Sequence, residues 1–315
     1  MRFLVSLLLL CATTAVAQSY PTRAVRVLVG FPPGGGTDIM ARFLAPKLAE
    51  YLGQPFVVEN RPGATTNIAS DMVAKSAPDG HTLLFTTSAL AINMSLYKNL
   101  TFDALKDFAP VSVFADSPNL LVAHQSAGAS VKELLARARA KPDSMNYSSA
   151  GAGTSQHLAG ELFKARTGVK IQHIPYKGTA ASLTAVIAGE VQFSFANVPA
   201  ILGHVRSGRI HALAVLADKR SNLMPDVPTM KEAGVDGVVV PVWYALLAPA
   251  TTPREIVKLL GDATARAARA PDLNQKLIEQ GAEPVGNTPE EFSKLLREEV
   301  TRWAEVVRIS GAKAE

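Results

Sequence analysis

Val25-Arg26-Val27-Leu28-Val29-Gly30-Phe31-Pro32-Pro33-Gly34-Gly35-Gly36-Thr37-Asp38 reads as an apolar strand that runs into a glycine-rich turn and opens a helix. Met145-Asn146-Tyr147-Ser148-Ser149-Ala150-Gly151-Ala152-Gly153-Thr154-Ser155 repeats the design in a distant part of the chain. Glycine lets the backbone come close to a ligand, and the first turn of a helix carries amide N–H groups without intrahelical partners and a partial positive charge. Each turn is therefore a candidate anion cradle, and two of them on different lobes could face each other across a cleft and hold a small carboxylate. The candidate contacts are Phe31, Pro33, Gly34, Gly35, Gly36, Thr37 and Asp38 in the first turn, and Ser149, Ala150, Gly151, Gly153, Thr154 and Ser155 in the second. The alternative is a tight strand-to-helix connection, capped by Asp38 in one case and by Thr154 or Ser155 in the other.

Outward from these turns, short β-branched runs alternate with helical patterns, the signature of an α/β fold on mainly parallel sheets. The spacing predicts strands at Arg26–Gly30, Phe56–Glu59 and Thr82–Thr86, with helices at Asp38–Tyr51 and Thr66–Ala77. Pro46 is expected to bend or interrupt the last turns of the first helix. After Leu120–Ala123 the pattern restarts with a helix at Val131–Ala140 and strands at Asn146–Ser148, Ile171–Ile174, Gln192–Ala196 and His211–Leu216. An apolar run at Val238–Leu247 leads back to the first unit, which helices at Pro253–Ala270 and Pro289–Ser310 close. The implied organisation is a leader over residues 1–17, one lobe from 18–123 plus 239–315 and a second from 124–238, joined by two crossings that form a hinge.

The leader reading rests on Arg2, the apolar run Phe3–Ala12 and the small-residue site Ala15-Val16-Ala17 before Gln18, and it predicts export. Cys11, the single cysteine, falls inside it, so the mature chain has no thiol for a disulfide or a thiolate metal site. Lipidation of Cys11 is disfavoured by the large Leu10 before it. No later run reaches the roughly 20 apolar residues of a membrane helix. The net charge of +5 is spread along the chain without a basic run, which argues against nucleic-acid binding and fits steering of small anions. Gly34-Gly35-Gly36-Thr37 matches neither phosphate-loop nor dinucleotide spacing, and no lysine follows it. Ser155 and His157 diverge on one helix, so a serine hydrolase lacks its nucleophile and base. The six histidines show no metal-binding spacing, and neither metal nor cofactor is expected.

Ser88 and Asn93 follow the strand ending at Thr86, and Asn197 follows the strand Gln192–Ala196; each could reach a ligand or tie down its turn. Tyr176-Lys177-Gly178-Thr179 is a surface turn or a backbone contributor to the cleft. Asp38 either bonds its own helix amides or neutralises a ligand ammonium. Trp243 reads as hinge packing.

Further blocks accompany the two turns: Val58-Glu59-Asn60-Arg61-Pro62-Gly63-Ala64, Ala77-Pro78-Asp79-Gly80-His81-Thr82-Leu83-Leu84, His157-Leu158-Ala159-Gly160-Glu161-Leu162-Phe163 and Pro175-Tyr176-Lys177-Gly178. Leu213-Ala214-Val215, Pro225-Asp226-Val227-Pro228-Thr229 and Ala248-Pro249 complete the set. Over almost its whole mature length the chain thus resembles the Bug family, the exported solute receptors of tripartite tricarboxylate transporters. The resemblance implies a type II-like, two-lobed periplasmic binding fold that closes on a small mono- or dicarboxylate. It also implies a periplasmic, non-enzymatic monomer without cofactor, whose partner is a membrane transporter. By position, Phe31–Asp38 and Ser148–Ser155 become the leading contacts, with Ser88, Asn93 and Asn197 as supports. A ligand sensor or scaffold for a protein partner is the alternative, ahead of an exported hydrolase. Two departures stand out. Thr65 and Thr66 replace glycines common in the family, narrowing or polarising that edge, and Ala180-Ala181-Ser182 stands where many relatives carry proline, so ligand identity does not transfer.

Overall fold

The computed structural model describes residues 20–314, so the leader expected over residues 1–17 and its Cys11 lie outside the described residues. The first run comprises β1 (Val25–Val29), α1 (Gly36–Leu52), β2 (Phe56–Asn60), α2 (Asn67–Ala74), β3 (Thr82–Thr87), α3 (Ala89–Leu96) and β4 (Phe108–Ala123). The second comprises α4 (Val131–Ala140), β5 (Asn146–Ser149), α5 (Ser155–Thr167), β6 (Gln172–Pro175), α6 (Thr179–Ile187), β7 (Phe193–Asn197), α7 (Val198–Arg206) and β8 (His211–Val215). The chain returns through β9 (Pro241–Pro249), α8 (Arg254–Arg269), α9 (Pro271–Glu279), β10 (Glu283–Pro284) and α10 (Pro289–Ser310).

β1 pairs in parallel with β2 and β3, and β5 in parallel with β6 and β7. β4 and β9 are the crossing strands. β4, 16 residues long, serves both halves: Phe108–Pro118 runs beside β9, and Asn119–Ala123 pairs with β7 and β8. A strand that leaves one half and a strand that returns to it must run in opposite directions, so both join their neighbours antiparallel. The outcome is a mixed sheet in the order β2-β1-β3-β9-β4-β7-β5-β6, parallel among the strands β1–β3 and β5–β7 and antiparallel where β4 and β9 cross.

Local rules account for most of the helices. α10 starts at a capping box in which Thr288 accepts from the Glu291 amide and Glu291 accepts from that of Thr288, with Pro289 at the first helical position. α1 contains Pro46 yet runs on to Leu52 without interruption, ending where Gly53 takes a left-handed φ of 76°. α3 was not anticipated, because Ala89–Asn93 and Leu96 are all buried and the segment has no polar face to give a helical period. At the back of the crossing, the Trp243 and Trp303 indole N–H groups both donate to Glu299 Oε2, at 3.0 and 2.9 Å. Arg302 bonds the other carboxylate oxygen at 2.9 Å and the Val239 carbonyl at 3.0 Å. Trp243 also packs edge-on against Phe292, so it works as packing at the crossing.

Candidate functional site

The first glycine turn leads from β1 into α1. Gly35 is the N-cap without a side-chain cap, and the first intrahelical amide bond is Ile39 to the Gly35 carbonyl, at 3.0 Å. The amides of Gly36, Thr37 and Asp38 are therefore left unpaired at the positive end of a 17-residue helix. Asp38 does not face the cleft. Its carboxylate accepts from the Gly34 amide at 3.1 Å, Arg42 Nε at 3.0 Å and Asn60 Nδ2 at 2.9 Å. Burial works to raise its pKa, but the bonds from Arg42, the Gly34 amide and Asn60 outweigh burial and hold it below its ordinary range. Asn60 also donates to the Phe31 carbonyl at 2.9 Å, so the turn is braced from β2.

The second turn, between β5 and α5, is built differently. Its amides are largely consumed by its own side chains: Ala150 donates to Gln156 Oε1 at 2.8 Å, Gly151 to Ser149 Oγ at 3.1 Å and Gly153 to His157 Nδ1 at 3.2 Å. The Thr154 hydroxyl caps α5, accepting from the His157 amide at 3.2 Å and donating to the Gly151 carbonyl at 2.7 Å. The turn thus offers a shaped polar wall, not a second row of free amides; only at Ser155 and Gln156 does the helix start leave amides open. Gln156 Nε2 donates to Thr179 Oγ1 at 3.0 Å, tying in the turn before α6. Asn119 on β4 donates to Ser155 Oγ at 3.2 Å and to the Val240 carbonyl at 2.9 Å, which links the second turn to the crossing.

Beneath this turn His157 stacks on His173 with ring centroids 4.3 Å apart, and His173 stacks on Tyr147 at 4.8 Å. Burial pushes the His157 imidazole down to about 4 and that of His173 to about 3. Both are neutral near neutral pH. The unfolded chain takes up these protons first as pH falls, so their stabilisation is full above the ordinary value of 6.5 and is lost progressively down to about 4 for His157 and about 3 for His173. For His157 alone this amounts to something on the order of 3 kcal/mol. Urea unfolding measured stepwise from neutral pH to that lower bound is expected to show the decline, and His157→Gln to flatten it; parallel declines in both proteins would contradict the assignment.

The two turns line one cavity. Phe31, Gly35, Gly36, Thr37, Ala150, Thr154, Ser155 and Asn197 all reach it, together with Pro32, Thr87, Gln156, Thr179 and Val242. Its volume is about 20 Å³, room for about one water, so the halves stand close together here. Pro33 and Gly34, exposed at the tip of the first turn, the buried Asp38, and Ser149, Gly151 and Gly153 of the second turn lie off the lining. Ser88 and Asn93, both fully buried, also lie off the lining. Thr87, Val242 and Tyr244 escaped the sequence reading. Thr87 had a signal, since ligands in such sheets sit beyond the carboxyl ends of strands; the other two belong to a strand with no local polar pattern. Tyr244 reaches the start of α1: a Cβ on Gly36 would stand 2.2 Å from Asn197 Oδ1 and 2.9 Å from the Tyr244 hydroxyl. Both of those polar atoms are buried without a hydrogen-bond partner, and burial drives the Tyr244 pKa far up, keeping its hydroxyl a donor.

Chemically, the site presents free amides, hydroxyls and a carboxamide, a set that binds anions and polar groups. Among the described residues no group of three or more His, Cys, Asp or Glu is placed to hold a metal, and no helix is long and apolar enough to cross a membrane. Residues 40–311 match the family described as tripartite tricarboxylate transporter family receptor. The chain is 41% identical to Protein BugT of Bordetella pertussis over 305 residues, 96% of this chain and 94% of that protein. Among solved structures it is similar to R. palustris Rpa4515 with adipate, at 38% identity and TM-score 0.91, covering 94% of this chain and all of that one. It is also similar to MatC from Rhodopseudomonas palustris with bound malate, at 33% identity and TM-score 0.87, over 91% of this chain and 100% of the other.

Proposed function

Because the chain belongs to the tripartite tricarboxylate transporter receptor family, whose members are solute-binding receptors and not enzymes, we propose that it captures a small mono- or dicarboxylate in the periplasm and delivers it to a tripartite-type membrane transporter. The observation that carries this reading is the unpaired amide set at the start of α1, with the Tyr244 hydroxyl and Asn197 Oδ1 buried and unpartnered beside it. A carboxylate would accept from the amides of Gly36 and Thr37 at the positive helix end, and from Tyr244. Asn197 can turn either its oxygen or its nitrogen to the site. The second turn, through Ser155, Gln156 and Ala150, would meet the rest of the ligand. Asp38, held by Arg42, Gly34 and Asn60, keeps the first turn in shape and contributes no ligand contact of its own. Ser88, Asn93 and the remaining turn residues act as supports.

The lobes, 18–123 with 239–315 and 124–238, part to admit a solute larger than the present cavity and close over it, bending at β4 and β9. The receptor acts as a monomer, and the transporter reads the closed form. Adipate and malate, bound by the two solved relatives, make dicarboxylates the first class to try. In a thermal-shift series over mono-, di- and tricarboxylates, amino acids and inorganic phosphate, at least one carboxylate should raise Tm by roughly 5–10 °C when present at a hundred times its Kd. No shift with any carboxylate at millimolar concentration would overturn the reading.

A further inference from the structure

One edge of the cleft is closed by residues that line no part of the cavity. Ala64, Thr65 and Thr66 follow one another in the left-handed region, with φ of 43°, 48° and 74°. A β-branched residue adopts that conformation only under constraint. Asn93 supplies it from α3, donating Nδ2 to the Thr65 carbonyl at 2.8 Å and to Asn67 Oδ1 at 2.7 Å. The turn held in this way carries Thr65 Oγ1 across to the second glycine turn, 3.2 Å from where a Cβ on Gly151 would lie. Tyr97, which ends α3, donates its hydroxyl to the Ala152 carbonyl at 3.1 Å with Thr65 Oγ1 at 3.4 Å as a second acceptor. Gly153 fits against the same group, a Cβ there coming 2.3 Å from Asn93 Oδ1 and 3.1 Å from the Tyr97 ring.

We propose that Tyr97, positioned by the strained Thr65 turn, is a latch that clasps the second glycine turn when the cleft closes and so sets the open–closed balance and the retention of bound solute. The Tyr97 hydroxyl spans the two halves, its acceptor belongs to the turn that forms one wall of the cavity, and it lies outside the lining itself. The latch therefore acts on closure without touching the solute. Its consequence for solute retention rests on the receptor reading above, whereas its effect on closure does not.

The test places spin labels on exposed positions of the two halves of the mature protein, Lys75→Cys at the C-terminal cap of α2 and Lys132→Cys on α4, and compares distance distributions with and without Tyr97→Phe. The variant is expected to lower the closed-to-open ratio roughly three- to tenfold, as loss of one hydrogen bond would, both in the free protein and with saturating malate or adipate. Thr65→Gly relaxes the left-handed turn and removes the hydroxyl together, so it should raise Tm while opening the distribution. A merely structural role would move stability and closure in the same direction. Distributions identical to the parent for both variants, free and with either acid, would overturn the latch. Should no carboxylate bind while Tyr97→Phe still opens the free protein, the latch stands and the carboxylate reading falls; should a carboxylate bind with distributions unmoved, the latch alone falls.

Discussion

Gly36→Ala is expected to weaken solute capture while leaving the folded protein as stable as before, or more so. Gly36 is the first residue of α1 and has no left-handed backbone, so alanine suits its conformation and its helix propensity favours the change. The added methyl, however, would stand 2.2 Å from Asn197 Oδ1 and 2.9 Å from the Tyr244 hydroxyl. Asn197 comes from β7 in the other half of the molecule, so parting the halves relieves that contact and closing restores it. The Tyr244 hydroxyl sits at the end of a long side chain and can give way. Overpacking of this kind typically costs about 1–3 kcal/mol, which weakens binding by roughly five- to more than a hundredfold if charged only to the closed state. Calorimetry with the best carboxylate of the thermal series, beside thermal unfolding of the free protein, separates the two effects. Binding within twofold of the parent would mean that the observed approach of Gly36 to Asn197 is not the binding arrangement.

Glu299→Ala should give the largest loss of stability. Glu299 is buried at 5% exposure and holds three donors together: the indoles of Trp243 and Trp303, and Arg302. Removing the carboxylate leaves the two buried indole N–H groups without an acceptor and Arg302 with only the Val239 carbonyl, a class of change that costs about 3–5 kcal/mol. For a chain of this size the fall in Tm is roughly 10 °C. Glu299→Gln keeps one oxygen for the indoles but loses the ion pair, so its fall should be smaller. Calorimetric unfolding of the three proteins checks the order; an Ala variant within about two degrees of the parent would show that this brace is not what holds α10 to the crossing.

The legible part of this molecule is the part written in short-range patterns. β1 and β3, the helix Val131–Ala140 and the last helix at Pro289–Ser310 all follow from strand runs, caps and periodicity, and the structure shows them at or near the expected bounds. α3 is hard to read in the sequence because six of its eight residues are buried and its apolar run has no amphipathic period. β4 was seen only at its last residues, Leu120–Ala123, because its first part carries Pro110, Ser112, Asp116 and Ser117, which break the apolar run, while pairing with β9 still holds it extended. At the site, both glycine turns are legible, and eight of the residues the sequence points to line the cavity. The second turn resembles the first less than its sequence suggests: its pattern reads as a second amide row, but Ser149, Gln156 and His157 take up its amides.

The α/β alternation, the two strand–glycine–helix corners and the family are written in the amino-acid order, because each is carried by residues close together in the chain and by backbone preferences that act locally. Long-range packing settles which amides stay free, that Asp38 turns away from the cleft, and that Tyr244, Asn197 and Gly36 meet. Those outcomes depend on side chains brought together from β7, β9 and α1 by the two crossing strands, and no local preference records a contact between residues so far apart in the chain.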